Sequence, residues 1–213
     1  MFNDEFQSWL HHRLGQPLPG LDAQLRMASL NRNMKYRNFK VPDDARQSAV
    51  LLLLYPGEQN NIILPMQERT AYKGVHSRQI GLPGGGVEDF DTDYEDTALR
   101  ETREELGVER ETVKVLGRLS KIYIPPSNYI VQPIVGIARQ RPNFVLDPVE
   151  VKSLLEAPIE AFTAKDAVQT AMVKGRNFAE MEVPCFRVHG HVVWGATAMI
   201  MSEFGEIMSE FHS

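Results

Sequence analysis

The sequence of 213 residues contains a single cysteine, Cys185. One cysteine excludes an intrachain disulfide and a cysteine zinc cluster, and a small buried apolar side chain is its expected role. The longest apolar run, Ala49 to Tyr55, is far too short to cross a bilayer, and the amino terminus shows no apolar segment of signal-peptide length. We therefore expect a cytoplasmic protein that does not enter a membrane.

The chain also lacks an excess of positive charge, since 23 Lys and Arg face 28 Asp and Glu and the net charge is −5. This balance argues against nucleic acid as a partner, but not against a small anionic ligand held by a metal. No tandem repeat or low-complexity segment is present. Residues 23–41 carry five basic side chains and no acid. A solvated surface is the favoured interpretation of that segment, and cations near a phosphorylated substrate are the alternative.

The apolar pattern predicts an α/β protein with a mixed sheet flanked by helices. Helices are predicted over the first fifteen residues, over 157–172 and over 196–211. Strands are predicted at 48–55, 61–66, 112–119, within 122–137 around a turn at 125–128, at 144–155, and as a pair within 181–194. We expect residues 1–45 to form a helical extension and residues 46–213 to form one domain.

The stretch from Leu82 to Val108, LPGGGVEDFDTDYEDTALRETREELGV, combines a glycine-rich loop with a glutamate-rich helix. Residues three and four apart share a helix face, so Glu101, Glu104 and Glu105 fall within one arc. Carboxylates crowded in this way repel each other, and a bound Mg²⁺ would convert that repulsion into affinity. A solvated helix face is the competing interpretation.

The residues around the glutamates favour the functional interpretation. Gly84 and Gly85 allow backbone to approach a ligand closely, which makes them candidate substrate-binding residues. Thr92 and Glu95 have the form of a capping box that starts the helix. The polar segment before the loop contains further candidates for contact with a substrate, and a loop surface is the alternative for each: Arg69, Lys73, His76 and Arg78.

Two further patterns in the sequence have two interpretations each. His189 and His191 would share a strand face as a metal pair, but no third ligand is near and a turn at Gly190 would spoil the geometry. The first helix has one apolar side, which could pack on its own domain or on a second copy, so a homodimer is an open prediction.

The spacing of the glycine and glutamate segment resembles the Nudix box, which is Gly, five residues, Glu, seven residues, Arg-Glu-hydrophobic-x-Glu-Glu-x-Gly-hydrophobic. The residues in register are Gly86, Arg100, Glu101, Glu104, Glu105, Gly107 and Val108. Thr92 replaces the first glutamate and Thr102 replaces a hydrophobic residue. Asp91 or Asp93 are the candidates to supply the missing acid.

The resemblance implies a Nudix-type fold, a mixed sheet between helices, and a site that binds Mg²⁺ or Mn²⁺. Glu101, Glu104 and Glu105 would hold the metal together with the carbonyl of Gly85. Glu104, or an acid outside the box, would take a proton from the attacking water, and Arg100 would orient a carboxylate. The acids outside the box that the sequence offers are Glu150, which is of most interest, and Glu156, Glu180, Glu182 and Glu203.

Three segments narrow the resemblance to the coenzyme A pyrophosphatase branch of this family: RTAYKGVHSRQIGLPGG, IYIPPSNYIVQPIVG and WGATAMIMSEF. That branch typically has Gly, Ser and Phe at the positions of Arg78, Gly81 and Leu82, and often Lys at Gly86. The resemblance implies hydrolysis of a diphosphate bond in coenzyme A, to 3′,5′-ADP and phosphopantetheine. Because of the departures, ADP-ribose, a nucleoside diphosphate sugar or a dinucleotide are alternative substrates, and a non-catalytic nucleotide sensor is the alternative of another class.

Overall fold

The computed structural model describes residues 2–28, 40–70, 79–174 and 180–212. These ranges contain both helices and strands, and none of the helices there combines the length and apolar character needed to span a bilayer. Lys73, His76 and Arg78 lie outside the described residues.

The strands of the described ranges form one large sheet and one small one. They are β1 (Arg46–Pro56), β2 (Ile62–Arg69), β3 (Ile80–Gly81), β4 (Gly84–Gly86), β5 (Val113–Arg118), β6 (Ile122–Ile124), β7 (Tyr129–Ala138), β8 (Val151–Pro158), β9 (Gln169–Lys174), β10 (Glu180–Val188) and β11 (His191–Val193).

The α-helices of these ranges lie on the two faces of the large sheet. They are α1 (Asp4–Leu14), α2 (Gly20–Leu25), α3 (Tyr94–Leu106), α4 (Glu160–Thr163) and α5 (Gly195–Ser209). Single 3₁₀ turns cover Arg110–Thr112 and Glu210–His212.

Strand β1 is the centre of the large sheet, whose main path runs β3-β2-β1-β7-β5. It pairs in parallel with β7 on one edge and antiparallel with β4 and β2 on the other, so the sheet is mixed. Six of the seven residues from 49 to 55 are buried, all except Val50, because helices cover both faces of the sheet. The small sheet contains β9, β10 and β11.

Alternate residues of β1 face two separate cores. Leu51 and Leu53 pack with Leu106 of α3 on one face of the sheet. Leu52 packs on the other face in a larger core that includes Phe204 of α5. The period of two along the strand therefore divides the molecule into a face bearing α3 and a face bearing the remaining long helices.

The N-terminal helix α1 buries its apolar side within its own chain. Phe6 and Leu10 are 0% exposed and belong to the same core as α5. A homodimer stays a prediction, but the apolar side of α1 is not the surface that would support it.

A buried glutamate on α5 joins the N-terminal segment to the sheet. Oε1 of Glu203 accepts hydrogen bonds from the backbone N–H groups of Gly20 at 3.1 Å and Ser120 at 3.2 Å. Its Oε2 accepts one from Nε2 of Gln24 at 2.9 Å. The carboxylate is therefore committed to a structural role, and the boundary between the predicted extension and the domain at residue 46 is bridged by contacts.

We expect replacement of Glu203 by alanine to destabilise the fold. The substitution leaves two backbone N–H groups and the Gln24 amide buried without their acceptor, which costs roughly 2–4 kcal/mol of the free energy of unfolding. Urea denaturation measures the loss. Glu182→Ala, at an exposed position of β10, is the control and should change the value by less than about 0.5 kcal/mol; an equal effect of both substitutions would contradict the role assigned to Glu203.

Most of the predicted elements are present, and three are corrected. The strand predicted at 144–155 begins at Val151 and runs to Pro158, which leaves Glu150 in the preceding turn. The helix predicted over 157–172 is wrong, because only the four residues of α4 are helical and β9 follows. The start of α3 is also different: the N-cap is Asp93, whose side chain accepts from the N–H of Asp96, whereas Thr92 and Glu95 form no capping box.

Candidate active site

Strand β4 consists of three glycines that pair with the first half of β1. Gly84, Gly85 and Gly86 lie opposite Val50, Ala49 and Ser48. Gly84 has φ of 146°, and a Cβ at this position would overlap the carbonyl oxygen of Ala49. Only a residue without a side chain fits there, because β4 lies so close to the backbone of β1.

Helix α3 places its three glutamates beside β4, but in different environments. The exposed fractions of their side chains are 2% for Glu105, 16% for Glu101 and 58% for Glu104. The helix begins at the Asp93 cap and ends at Gly107, which has φ of 69°. The helix places the three glutamates beside the glycines. Because the three side chains differ in burial, each carboxylate has a different environment.

Glu105 is held against the glycine strand by two donors. Its Oε2 accepts from the N–H of Gly84 at 2.7 Å, and its Oε1 lies 3.3 Å from Nη2 of Arg69. Burial raises the pKa of Glu105 to about 7, although the charge of Arg69 and the N–H of Gly84 act in the opposite direction. The group therefore has a strong tendency to be neutralised, by a proton or by a nearby cation.

Glu101 lies directly against Gly85. A Cβ at Gly85 would stand 2.5 Å from the carboxylate carbon of Glu101, so the missing side chain is what gives the carboxylate its place. Burial raises the pKa of Glu101; the hydrogen bond and charge of Arg100 lower it, and the charges of Glu104 and Glu150 raise it further.

Arg100 connects the groups of the site. Its Nη1 donates to Glu101 at 2.8 Å and to Glu104 at 3.0 Å, and its Nη2 donates to the carbonyl of Gly86 at 3.0 Å. Nε and Nη2 form a bidentate pair with Asp91 at 2.9 and 3.0 Å. The guanidinium thus contacts three carboxylates and one carbonyl, and the orienting role that the resemblance implies stays a prediction.

Asp91, one of the two candidates for the acid missing at Thr92, is the one that pairs with Arg100. Its side chain is 1% exposed and also accepts from the N–H of Glu88 at 2.9 Å and the hydroxyl of Thr97 at 2.9 Å. The hydrogen bonds of Arg100 lower the pKa of Asp91 from 3.8 to about 2. Asp93, the other candidate, is the helix cap.

Asp91→Asn should destabilise the protein by roughly 1–3 kcal/mol at neutral pH, since a buried charged hydrogen-bond acceptor is lost. Because the folded-state pKa is depressed, the stabilisation by the charged carboxylate is complete above the ordinary value of 3.8 and disappears as pH falls toward 2. Unfolding curves of both proteins at several pH values measure this. The difference in the free energy of unfolding between the two proteins should become smaller as the pH falls from 4 to 2. A difference that does not change with pH would show that the ion pair is not its source.

A cavity of about 330 Å³ lies beside the glycine strand, on the face of the sheet that bears α5. The walls come from strands β1, β2, β3, β4, β6 and β7, from the turn before β7 and from the N-terminal part of α5. Its polar lining includes Ser48, Arg69, Gln79, Tyr129 and Thr197. The glycines therefore have the α3 carboxylates on one side and a cavity of ligand size on the other.

A model of the NUDIX domain matches residues 45–173, which is more than half of the chain. The chain belongs to the Nudix family. The match includes the glycine strand, α3 and the strands that line the cavity.

Relatives and a solved structure agree with this assignment. The chain is 28% identical over 167 residues to NudL of Photorhabdus laumondii, described as an uncharacterized Nudix hydrolase, with 78% of this chain and 87% of that protein covered. Identity to NudL of Escherichia fergusonii is 30% over 162 residues, covering 74% and 80%. The Nudix hydrolase RenU of M. smegmatis has a similar fold, with a TM-score of 0.55 at 16% identity over 78% of this chain and 87% of that chain. The predicted fold class and the predicted class of enzyme, a Nudix hydrolase, are confirmed.

Within the Nudix box, the structure brings together Glu101, Glu104, Glu105 and Arg100 with Gly84 and Gly85, as predicted. The backbone groups of Gly84 differ from the expected arrangement. The N–H of Gly84 donates to Glu105, and the carbonyl of Gly84 accepts from Arg69 at 2.9 Å. Both groups are therefore already hydrogen-bonded within the protein. The substrate-binding roles of Arg69, Gly84 and Gly85 stay predictions.

The acidic residues outside the Nudix box lie in different places and have different partners. Glu150 is exposed and close enough for its charge to raise the pKa of Glu101. Glu156 forms a salt bridge with Arg141 at 2.7 Å, and Glu203 is buried in the contacts described above. Glu180 and Glu182 lie on the small sheet. His189 is in the turn before β11 with φ of 47°, so it does not share a strand face with His191.

The chemistry of this donor set fits a hard divalent cation, because it consists of carboxylate and carbonyl oxygens. The Glu101 carboxylate lies against Gly85, and Arg100 holds Glu104 next to it. In the described ranges no three acidic, histidine or cysteine side chains converge on one point, because arginines hold the glutamates instead. A cation would compete with Arg69 for Glu105.

Several residues that shape this site carry no recognisable pattern in the sequence. Tyr129, Ser48 and Thr197 line the cavity but come from three distant segments. The position of Tyr129 directly after the predicted turn at 125–128, at the start of a strand, is the available signal.

Proposed function

We propose that the protein hydrolyses the diphosphate bond of a nucleoside diphosphate derivative with the aid of Mg²⁺ or Mn²⁺. Coenzyme A or one of its derivatives is the proposed substrate, and 3′,5′-ADP and phosphopantetheine are the proposed products. The observation that carries the proposal is the contact of the Glu101 carboxylate with Gly85, on a strand that also borders the cavity.

A diphosphate resists attack by water because its own negative charge repels the nucleophile. When bound, a divalent cation neutralises that charge and lowers the pKa of a coordinated water. Glu101, Glu104 and Glu105 would hold the cation, with the carbonyl of Gly85 as a further ligand. Family membership and the oxygen-rich donor set support this assignment.

The protein groups have separate tasks in this proposal. Arg100 fixes Glu101 and Glu104 relative to each other through a shared guanidinium. Glu104 is the most exposed of the three glutamates and is therefore suited to accept a proton from the attacking water. Glu150, in the turn before β8, is the second candidate for that base.

Coenzyme A is favoured because the segments that resemble its pyrophosphatase branch build the cavity. The segment IYIPPSNYIVQPIVG forms β6, the turn and β7, and contributes Ile124, Ser127, Tyr129 and Val131 to the lining. The segment WGATAMIMSEF begins α5 and contributes Ala196, Thr197 and Ile200.

The same lining keeps other substrates open. Gly81 and Leu82, where the chain departs from that branch, also border the cavity. ADP-ribose, a nucleoside diphosphate sugar and a dinucleotide are the alternatives within the enzyme class. A nucleotide sensor without catalysis is less well supported, because recognition alone does not need the full set of glutamates.

Initial rates with coenzyme A, ADP-ribose and NADH, each with Mg²⁺ and with excess EDTA, test the proposal. We expect kcat/KM for coenzyme A to exceed the other two by about tenfold or more. Chelation should abolish turnover. A preference for ADP-ribose or NADH would overturn the substrate, and binding of all three without Mg²⁺-dependent turnover would favour the sensor.

A further inference from the structure

Arg46, the first residue of β1, is held in one position although it is exposed. It lies directly opposite Tyr129 in the parallel ladder between β1 and β7. Its guanidinium carbon is 4.0 Å from the centroid of the Tyr129 ring, and its Nη2 donates to the carbonyl of Ser127 at 3.0 Å. The strand pairing, the ring and the carbonyl together fix the plane of the guanidinium.

This guanidinium stands at the rim of the cavity. The guanidinium contacts the carbonyl of Ser127 and the ring of Tyr129, and both of these residues line the cavity. The Tyr129 hydroxyl lies 3.6 Å from the place that a Cβ of Gly86 would take, so the tyrosine reaches from Arg46 to the glycine strand. Since Ser48 lies opposite Gly86, Arg46 is two residues of extended strand, roughly 7 Å, from the glycines. That separation is of the order of a ribose.

The partners of the Arg46 guanidinium differ from those of the other two arginines at the site. Arg69 and Arg100 are paired with carboxylates of α3. In the described ranges the side-chain partners of Arg46 are an aromatic ring and a carbonyl oxygen, with no carboxylate among them. An arginine whose plane is fixed while several N–H groups face outward is suited to bidentate binding of a phosphate.

We propose that Arg46, seated on Tyr129, binds a second anionic group of the substrate, a phosphomonoester carried on the ribose of the nucleoside diphosphate. The inference rests on the proposed function and deepens it. Arg46 then determines specificity: it distinguishes coenzyme A, which has such a phosphate, from the 3′-dephospho compound and from ADP-ribose, which do not.

Calorimetry with adenosine 3′,5′-bisphosphate and with AMP tests the inference without any turnover. The wild-type protein should bind the bisphosphate about tenfold or more tightly than AMP, which corresponds to about 1.4 kcal/mol. Arg46→Gln should remove this difference in affinity, because it should weaken the binding of the bisphosphate and leave the binding of AMP unchanged. Arg187→Gln, a matched change at an exposed arginine of β10, should leave both affinities unchanged.

Two substitutions of Tyr129 separate the ring from its hydroxyl. Tyr129→Phe keeps the platform and should preserve the preference for the bisphosphate, whereas Tyr129→Leu should reduce it. Equal weakening of both ligands by Arg46→Gln would mean that the arginine stacks on the base and would overturn the inference. Absence of any preference in the wild-type protein, or its persistence in Arg46→Gln, would overturn it as well.

The failure of this inference is distinguishable from failure of the proposed function. If Arg46→Gln leaves the ratio of kcat/KM for coenzyme A to 3′-dephospho-coenzyme A unchanged while both are hydrolysed, the inference fails and the hydrolase stands. If the bisphosphate preference depends on Arg46 but no diphosphate is hydrolysed, the binding site stands and the proposed reaction fails.

Discussion

Glu105→Gln should lower kcat for a nucleoside diphosphate substrate by about 10²–10³-fold, which corresponds to about 3–4 kcal/mol in the activation barrier. The carboxylate is buried between the N–H of Gly84 and Arg69, and both of its oxygens face donors. A glutamine presents one amide NH₂ group, which must oppose one of these donors. The substitution thus removes a negative charge that would attract a cation and also disturbs the contact with the glycine strand.

The loss should appear in turnover and in Mn²⁺ binding measured by calorimetry. Glu109→Gln is the matched control, because Glu109 follows the same helix, is 60% exposed and pairs with Arg103 at the surface. That variant should retain full activity. Unchanged turnover of a folded Glu105→Gln protein, with ligand binding intact, would rule out the assigned metal-dependent hydrolysis.

Gly84→Ala should destabilise the fold by roughly 3–5 kcal/mol. The backbone at Gly84 has φ of 146°, a conformation that residues with a side chain rarely adopt. A Cβ there would also overlap the carbonyl oxygen of Ala49 and the Cα of Val50, which are backbone atoms of the central strand. Relief requires β4 to move away from β1, so the unfolding midpoint in urea should fall sharply.

The next two glycines provide the controls. Gly86→Ala should change the free energy of unfolding by less than about 1 kcal/mol, because the nearest atom to its Cβ would be the Tyr129 hydroxyl at 3.6 Å. Gly85→Ala should fold but lose activity, since its Cβ would displace the Glu101 carboxylate. Equal loss of stability in all three variants would contradict these separate roles.

Much of the fold follows from the apolar pattern of the sequence. The run from Ala49 to Tyr55 is buried on both faces as the central strand, and the apolar stripe of the last helix packs in the core. The spacing of Glu101, Glu104 and Glu105 placed them on one side of α3, beside the glycines. These features depend on local periodicity and helix geometry, which a sequence displays directly.

Other features depend on contacts between distant segments, which periodicity does not reveal. Glu105 is buried because β2 supplies Arg69 and the glycine strand supplies an N–H group. Asp91 pairs with Arg100 because the turn before α3 directs its side chain there. The segment 157–172 has a helical pattern, but residues 157 and 158 pair with β2 and residues 169–172 with β10.

The strand made only of glycines has a consequence for how substrate preference can change. Acidic groups meet it from one side, and the cavity meets it from the other. Substitutions in the cavity wall, except at Arg69, which also contacts Glu105, can therefore alter which molecule is accepted without moving the carboxylates, because the strand between them carries no side chains. Substrate preference can therefore change while the carboxylates that carry out the reaction keep their positions.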